Sequence, residues 1–575
     1  MKQTPTKISE IDQICNDYFH ETLKEEPESA LQFGLQNELD NPNDYSDYSP
    51  AGAEKMLQIA KKYIEKMQAA QPLSYEDEIV KEQFLDVLQL SLDVENKFHD
   101  SLRDISNLFS PVQMFSRIFD FMGRETEEDF SNIAKRLENL PKAVSQYIES
   151  LQKGLEKSVI ASKRQSKLVA EQIRDQINPE SSYFFQISND CKKLFESGAL
   201  SESLYKRVES AMQEVINAFK KLLDFFENDY IPNASGEDAV GQERYKYYAK
   251  QFVGQNIDIE KSYLYGVEQI DEIVEKQFEL ASGFGAKNVD KIDAIKEAAK
   301  ILDSDSSQAI IGPENLKNYM QNIADTTMKY LIENDHFEIP AAVQKVEAMI
   351  ATTDVGAVYY TPPTNDFSTP GRMWWSIPKG IDRQYKWNSK TTIFHEGVPG
   401  HHLQVGLQVY LSDKLNDWRR MGLLISGYAE GWGLYAEQLM DEFGALDNAE
   451  KFGMLDMQKL RAARIIIDIG VHCKMQIPKH WEERYGSGIW DYDKAEKFLS
   501  DMVNMNASFK KFELDRYMGM PGQAISYKLG QKNWLELRDK ALSRGWTLKE
   551  FHKKALSFAC LNFELLDKAL FSDKI

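Results

Sequence analysis

Hydrophobic residues recur at three- and four-residue intervals along most of the chain, with Lys and Glu between them, which is the pattern of amphipathic helices. From Ile8 to about Tyr230 the pattern is almost unbroken, and it is clearest over residues 51–70, 75–108 and 130–177. The Lys and Glu positions are typical of solvated helix faces. The N-terminal part of the chain is therefore predicted to be helical.

The helical pattern stops in residues 231–241, which are rich in turn-forming residues and typical of a linker. We place a domain boundary here and predict an N-terminal helical region over residues 1–235 and a second region over residues 236–575. Helical periodicity then resumes. The helices of the second region are predicted to begin with those at about 258–278, 291–302, 313–334 and 341–351.

The pattern changes in residues 356–363 and 371–378, where β-branched and aromatic residues bounded by Gly and Pro indicate two short strands. We predict a small sheet near residues 356–378. Its edge could pair with an extended peptide, and Tyr359 is then a substrate contact. A buried hairpin that only packs under the next helix fits the same pattern equally well.

Charge and cysteine content argue against several classes of function. The 575 residues include 90 acidic and 69 basic ones, a formal net charge of -21, which argues against nucleic acid or an anionic membrane as a partner. The four cysteines are far apart and form no Cys-x-x-Cys pair, so they are predicted to be free thiols. The sequence contains no run of about eighteen apolar residues, so no membrane-spanning helix is predicted.

The first residues predict where the protein is found. Residues 1–5 lead into a polar amphipathic segment and lack the apolar core of a secretory signal. The sequence as written therefore predicts a cytoplasmic protein, or an exported, periplasmic one if a signal has been removed.

Residues 391–404, Thr-Thr-Ile-Phe-His-Glu-Gly-Val-Pro-Gly-His-His-Leu-Gln, contain three of the nine histidines. A His-Glu pair with a second His four residues after the first presents two nitrogens to zinc and a carboxylate to the attacking water. Here the second nitrogen comes from His401, six residues after His395, or from His402, seven residues after it. Glu396 is the predicted general base.

A regular helix cannot bring these histidines together. Six residues rise about 9 Å and seven about 10.5 Å along the axis, whereas two nitrogens on one zinc lie only about 3–4 Å apart. Pro399 lacks a backbone donor and Gly400 tolerates unusual backbone angles, so a break at residues 398–400 could absorb the extra residues. The break would place His401 beside His395 and leaves His402 as the alternate ligand.

A zinc ion with two histidines needs a third protein ligand, which is commonly a carboxylate. Glu430 and Glu437 are seven residues apart, on one predicted helical face, among small and aromatic residues. One would bind the metal and the other would orient a histidine. Glu430 is favoured as the ligand because its small neighbours allow close approach of the backbone, and Glu437 is the alternate.

Charged residues recur on a nearly apolar helix at Arg461, Arg464, Asp468 and His472. Buried charges need partners, so this series is either an internal salt-bridge ladder or the polar wall of a cleft. In the second case Arg461 or Arg464 could bind a substrate carboxylate through its two-pronged donor geometry. His472 could then stabilise an oxyanion.

Residues 516–528 place Tyr517 and Tyr527 around a Pro-Gly turn. A Tyr hydroxyl is a suitable donor to a tetrahedral oxyanion. Packing in the core is the alternative role for either residue. Gln523, in the same turn, is a predicted substrate contact.

Three stretches together resemble the bacterial domain of unknown function 885 family: residues 395–404, Glu430-Gly431-Trp432 and Pro521-Gly522-Gln523. The resemblance extends over most of the chain. That family is in turn similar to the zincin metallopeptidases of the gluzincin type, such as the oligopeptidases and the helical carboxypeptidases. The resemblance implies a large, mainly helical fold with a deep cleft and a small β-sheet next to the active-site helix.

The resemblance also implies roles for individual residues. His395 and His401 would match the histidine ligands, Glu430 the third ligand and Glu396 the general base, with one of the two tyrosines as oxyanion donor. The expected function is Zn²⁺-dependent hydrolysis of a short peptide or small amide by the second region, with a carboxypeptidase or dipeptidase as a narrower option. Two alternatives stay open: a metal-dependent hydrolase of a non-peptide amide or ester, and a catalytically silent helical binding protein.

Overall fold

The computed structural model of the chain describes residues 8–351 and 358–572 and is mainly helical, as predicted. The contacts within the chain divide it into two compact units. Unit 1 comprises Met1–Leu73, Phe84–Asp238 and Met518–Met520, and unit 2 comprises Ser74–Gln83, Ala239–Tyr517 and Pro521–Ile575.

The N-terminal part is helical as predicted, but the stretch 75–108 is helical only to Phe98 apart from a 3-10 turn at Asp100–Leu102, and residues 158–162 separate two helices within the stretch 130–177. The helices are α1 (Glu10–Glu25), α2 (Pro27–Gln32), α3 (Pro50–Ala69), α4 (Tyr75–Phe98), α5 (Pro111–Arg117), α6 (Glu127–Lys157), α7 (Lys163–Ile177), α8 (Tyr183–Glu196), α9 (Glu202–Phe225) and α10 (Ile231–Asn233). The core of unit 1 forms where the apolar faces of α6 and α9 meet, around Leu137, Val144 and Phe219. Of the predicted break at 231–241, residues 234–241 lie outside any helix, whereas residues 231–233 form α10.

Unit 2 contains the remaining helices. They are α11 (Gln242–Val253), α12 (Ile259–Gly283), α13 (Lys291–Ser304), α14 (Pro313–Glu333), α15 (Lys386–Glu396), α16 (His401–Tyr410), α17 (Ser426–Glu442), α18 (Asn448–His472), α19 (Glu482–Tyr485), α20 (Tyr492–Met502), α21 (Ala507–Gly519), α22 (Ser526–Ser543), α23 (Leu548–Ser557) and α24 (Phe563–Phe571). Helix α18 is buried on nearly all sides because α12, α15 and α20 pack around it.

Helices α17 and α22 approach closely through glycines. A Cβ atom on Gly431 of α17 would lie 2.6 Å from the Cα of Gly530 of α22, so a larger residue would force the two backbones apart. This contact positions the neighbouring side chains of both helices, Glu430 and Tyr527 among them.

Five short strands lie between α13 and α15. They are β1 (Ala309–Ile311), β2 (Val346–Ile350), β3 (Val358–Thr361), β4 (Gly371–Trp375) and β5 (Arg383–Tyr385). Strands β2, β4 and β3 form a sheet in that order, with β2 parallel and β3 antiparallel to β4, and β1 pairs with β5.

The small sheet near residues 356–378 is therefore present. Its predicted strands correspond to β3 and β4, while residues 356 and 357 lie outside the described residues. The predicted helix at 341–351 is wrong. Residues 346–350 pair with β4 as a strand, and Val346 and Ala348 face the core with the two-residue period of a sheet.

Candidate functional site

The histidine-rich stretch is interrupted where the sequence predicts a break. Helix α15 ends at Glu396 and α16 begins at His401, and the residues between them include a cis Val398–Pro399 peptide bond. The amide of Gly400 donates to the carbonyl of Phe394 at 3.0 Å. A Cβ atom at position 400 would overlap the carbonyl oxygen of His395, so this close return of the chain requires glycine.

The interruption brings His401 beside His395. Their ring centroids are 4.8 Å apart and the rings are nearly perpendicular, at 89°. Helix α17 contributes the third group, because Oε2 of Glu430 lies 3.2 Å from Nε2 of His395 and 3.7 Å from Nε2 of His401. Both separations from Glu430 fall within the spacing of about 3–4 Å between donors on a tetrahedral zinc ion. Two imidazoles and a carboxylate are also donor types that zinc takes, so the chemistry of these three side chains fits a zinc site.

Glu396 borders the same group of atoms. The ligand-capable atoms of His395, Glu396 and His401 all lie within 4.8 Å of one another. Burial raises the pKa of Glu396, while the neighbouring imidazoles lower it. The net effect is a raised pKa, which brings this carboxylate nearer the range in which it can exchange a proton at neutral pH.

Glu437 contacts the other side of His395. Its Oε1 lies 2.8 Å from Nδ1 of His395, and its Oε2 accepts a hydrogen bond of 2.7 Å from the hydroxyl of Thr391. Because an ionised carboxylate only accepts hydrogen bonds, Nδ1 of His395 carries a proton and Nε2 faces Glu430. Of the two acids left open by the sequence, Glu430 lies between the histidines and Glu437 orients His395.

The electrostatics of His395 and Glu430 are coupled. Burial lowers the pKa of His395, but its hydrogen bonds to Glu430 and Glu437 outweigh burial and raise the pKa to about 10. Burial alone would raise the pKa of Glu430, but hydrogen bonds from His395 and His401 hold it well below the usual range. Glu430 is therefore ionised and paired with the Nε2 proton of His395, and a metal ion bound between them would take the place of that proton.

Gly433 makes room for the imidazole of His395. A Cβ atom at this position would lie 2.6 Å from Nε2 of the ring, so the ring rests directly on the backbone of α17. The sequence analysis missed this residue. Its signal is the Gly431-Trp432-Gly433 pattern inside a predicted helix, where each glycine costs about 1 kcal/mol relative to alanine and therefore indicates a packing requirement.

His402 turns away from the site. Its Nε2 lies 2.7 Å from the carbonyl oxygen of Val343, and its Nδ1 lies 3.0 Å from the hydroxyl of Tyr360 on β3. Burial lowers the pKa of His402 to about 4, so the ring is neutral and its two nitrogens hold α16 against these neighbours. Of the two alternates, the structure places His401 beside His395.

Arg464 and Tyr517 belong to a buried ion-pair network. Arg464 donates from Nε to the hydroxyl of Tyr517 at 2.9 Å and from Nη2 to Glu513 at 2.6 Å, and the Tyr517 hydroxyl donates to Glu513 at 2.6 Å. Tyr517 is fully buried. The hydroxyl proton of Tyr517 is thus donated to Glu513, and the charge of Arg464 has a buried partner on α21.

His472, the other residue predicted to stabilise an oxyanion, contacts the main chain. Its Nε2 donates to the main-chain carbonyl of Tyr517 at 2.9 Å, and its side chain is fully buried. Asp468, on the same helix, accepts hydrogen bonds from the hydroxyl of Tyr245 and the amide of Gly522. This end of α18 therefore fixes the turn that precedes α22.

Tyr527 shares the environment of Glu430. Its ring lies under the guanidinium of Arg464, 4.4 Å from the ring centroid. Burial raises the pKa of Tyr527, and the negative charge of Glu430 raises it further. The hydroxyl therefore stays protonated at neutral pH, and Glu430 is close enough for its charge to act on it.

The three predicted substrate contacts outside this network differ in availability. Gln523 accepts a hydrogen bond of 3.0 Å from Arg516. Tyr359 is 39% exposed on β3 and stacks on Trp374. Arg461 is partly exposed, and its charge lowers the pKa of Glu396. All three side chains keep some exposed surface, and Gln523 differs in that its amide oxygen is already bound by Arg516.

Two solved structures share this fold over nearly their whole length. A putative lipoprotein from Colwellia psychrerythraea superposes with a TM-score of 0.81 at 21% identity, covering 98% of this chain and 99% of that one. A putative lipoprotein of unknown function from Shewanella oneidensis gives a TM-score of 0.75 at 14% identity, covering 97% and 99%. Identities this low show the shared fold alone.

The sequence of the chain was also compared with curated proteins and with protein families. No curated protein matches the chain. None of the described helices is both long and apolar enough to cross a membrane. The family model described as "Bacterial protein of unknown function (DUF885)" matches residues 27–570. The chain is therefore a member of this DUF885 family.

Proposed function

We propose that the protein is a zinc-dependent peptidase that hydrolyses short peptides in a cleft, and that it is a distant gluzincin-type relative of the zincins. One observation carries the proposal: Nε2 of His395 and Nε2 of His401 converge on one oxygen of Glu430, at 3.2 and 3.7 Å. Two imidazoles and one carboxylate are the ligand set of many catalytic zinc sites.

His395, His401 and Glu430 would hold the metal, and Glu437 would keep His395 in the tautomer that presents Nε2. Carboxylates that orient metal-binding histidines in this way are common in zinc enzymes. When bound, zinc acts as a Lewis acid that lowers the pKa of water and polarises a carbonyl group.

Glu396 would act as the general base. Its carboxylate accepts a proton from the attacking water and then donates that proton to the leaving amine. Its raised pKa favours both transfers, because a group that gives and takes a proton works best when its pKa lies near the working pH.

Tyr527 would donate a hydrogen bond to the oxyanion that forms on the scissile carbonyl. The peptide backbone would pair with β3, which is an outer strand of its sheet and carries Tyr359. An edge strand offers unpaired backbone groups to an extended peptide.

The test starts with metal analysis of protein purified without chelator, followed by assays on pools of short peptides and of small amides and esters. We expect one zinc per chain and hydrolysis of peptides. Hydrolysis of only the small compounds would favour a non-peptide amide or ester hydrolase, and absence of metal would favour a silent binding protein.

Glu396→Gln tests the mechanism itself. The variant should keep its zinc and lose hydrolysis by about 100-fold or more, because general-base catalysis contributes about 10²–10⁴-fold. Glu279→Gln, an exposed position on α12, is the matched control and should change neither property. Full peptidase activity in Glu396→Gln would refute the mechanism.

We also propose that the protein is exported, because two solved structures that share its fold are described as putative lipoproteins. Fractionation of the producing cells tests this. Recovery in the cytoplasmic fraction alone would contradict it.

A further inference from the structure

The two arginines of α18 differ in how their charges are compensated. Arg464 is paired with Glu513 and hydrogen-bonded to Tyr517. Arg461 forms no ion pair with any residue that the structure describes. Its Nη1 contacts only the carbonyl oxygen and the sulfur of Met457, at 3.4 and 3.0 Å, and thioether sulfur is a weak acceptor.

The remaining donors of Arg461 point to a missing partner. Its Nε is buried and has no hydrogen-bond partner among the described residues. An unsatisfied buried donor carries a desolvation cost, and the cost is larger for a charged group. A site of this kind is expected to take an anion that arrives from outside the chain.

Arg461 is also close to the proposed reaction centre. It lies one helical turn before Arg464, on the same side of α18, and the Arg464 guanidinium covers the ring of Tyr527. The positive charge of Arg461 lowers the pKa of Glu396, so the two side chains are within electrostatic range of each other. The guanidinium therefore lies on the side of α18 that faces the proposed base and oxyanion donor.

We propose that Arg461 binds the C-terminal carboxylate of the substrate, so that the enzyme removes residues from free peptide C-termini; this inference rests on the proposed function. A guanidinium matches a carboxylate with two parallel hydrogen bonds. In such a substrate the carboxylate follows the scissile amide by one residue, or about 3.8 Å between Cα atoms. The group that binds the substrate carboxylate must therefore lie near the general base, as Arg461 does.

The test compares pools of short peptides that differ only at the C-terminus, which is a free acid in one pool and an amide in the other. The unmodified protein should hydrolyse the acids with a kcat/KM about 10- to 100-fold higher, as expected for a charge-assisted hydrogen-bonded contact. Arg461→Met should lose this preference, because it slows the acids more than the amides, whereas any effect through Glu396 is common to both pools. Arg461→Lys keeps the charge but loses the planar fork, so it should recover only part of the preference.

Lys451→Met is the matched control. Lys451 is on the same helix, 42% exposed and paired with Asp441, and it lies about 15 Å along the axis from Arg461. Loss of the Lys451 side chain should leave the preference for free C-terminal acids unchanged. Equal loss on acids and amides in Arg461→Met would overturn the proposal, because it would mean that Arg461 acts only through Glu396. Equal hydrolysis of acids and amides by the unmodified protein would overturn it as well.

A binding measurement separates this inference from the proposed function. Trialanine and trialanine amide are titrated calorimetrically into Glu396→Gln and into the double variant with Arg461→Met. We expect tighter binding of the free acid, by about 10-fold or more, that disappears in the double variant. If neither pool is hydrolysed but this difference is found, the peptidase proposal fails while the carboxylate site stands. If no difference is found, the carboxylate site fails.

Discussion

Nδ1 of His395 lies 2.8 Å from a carboxylate oxygen of Glu437, and Glu437 is held on its other side by the hydroxyl of Thr391. Glu437 is almost fully buried, with 1% of its side chain exposed. A buried carboxylate is stable only when it is paired and hydrogen-bonded, and these two contacts provide both conditions. The arrangement fixes the ring of His395 before any metal arrives.

Glu437→Gln should therefore weaken zinc binding. The amide keeps the shape of the side chain but loses the charge that makes His395 a stronger ligand, so we expect zinc affinity to fall about 10- to 100-fold. Competition with a chromophoric chelator measures the change. Glu442→Gln, a 40%-exposed position at the end of the same helix, should bind zinc as the unmodified protein does. An unchanged affinity in Glu437→Gln would remove the orienting role.

Replacing His401 and replacing the adjacent His402 should have different effects on zinc content and stability. His401→Ala removes a proposed ligand and should reduce the zinc content of the purified protein to a small fraction. His402→Ala should keep the metal and lower the free energy of unfolding by about 1–3 kcal/mol, because Val343 and Tyr360 lose a buried partner. Metal analysis and urea unfolding of both variants test the assignment. Loss of zinc in His402→Ala alone would reverse it.

The two tyrosines offer a second matched pair. Tyr527→Phe should lower kcat by about 10- to 1,000-fold with zinc content unchanged, because it removes the proposed oxyanion donor. Tyr517→Phe should leave kcat close to normal but destabilise the fold by about 1–3 kcal/mol, because the buried Arg464–Glu513 pair loses a hydrogen-bonding partner. Steady-state kinetics and urea unfolding distinguish the two outcomes. A kcat loss confined to Tyr517→Phe would assign the donor to that residue.

Gly433→Ala should displace the ring of His395. The added methyl group overlaps the imidazole, so we expect about 1–3 kcal/mol of destabilisation together with weaker zinc binding. Gly283→Ala, at the end of α12, is the control because a Cβ there meets no atom within 4 Å. Unfolding and chelator competition measure both effects. Normal zinc affinity in Gly433→Ala would show that the ring can move without loss of the site.

The break between α15 and α16 could be predicted because its cause is local. Pro399 cannot donate a backbone hydrogen bond, and Gly400 lies where any side chain would overlap the carbonyl of His395. The amphipathic helices were predictable for the same reason, because the three- and four-residue spacing of their apolar residues is visible in each local stretch of sequence.

The features that sequence left open depend on distant partners. The choice between His401 and His402 is set by Val343 and Tyr360, which lie 59 and 42 residues away from His402 in the chain. Residues 346–350 form a strand because β4 is there to pair with them. Local periodicity does not contain these contacts, so it predicted a helix in place of β2.

The interruption between Glu396 and His401 also affects how such proteins are found. A search pattern with a fixed gap between two histidines assumes one continuous helix, and it passes over a chain in which the gap is bridged by a loop. A pattern that allows a Pro-Gly insertion of variable length, with a Gly-x-Gly pair downstream, would recover sequences of this design and enlarge the set in which the chemistry can be tested.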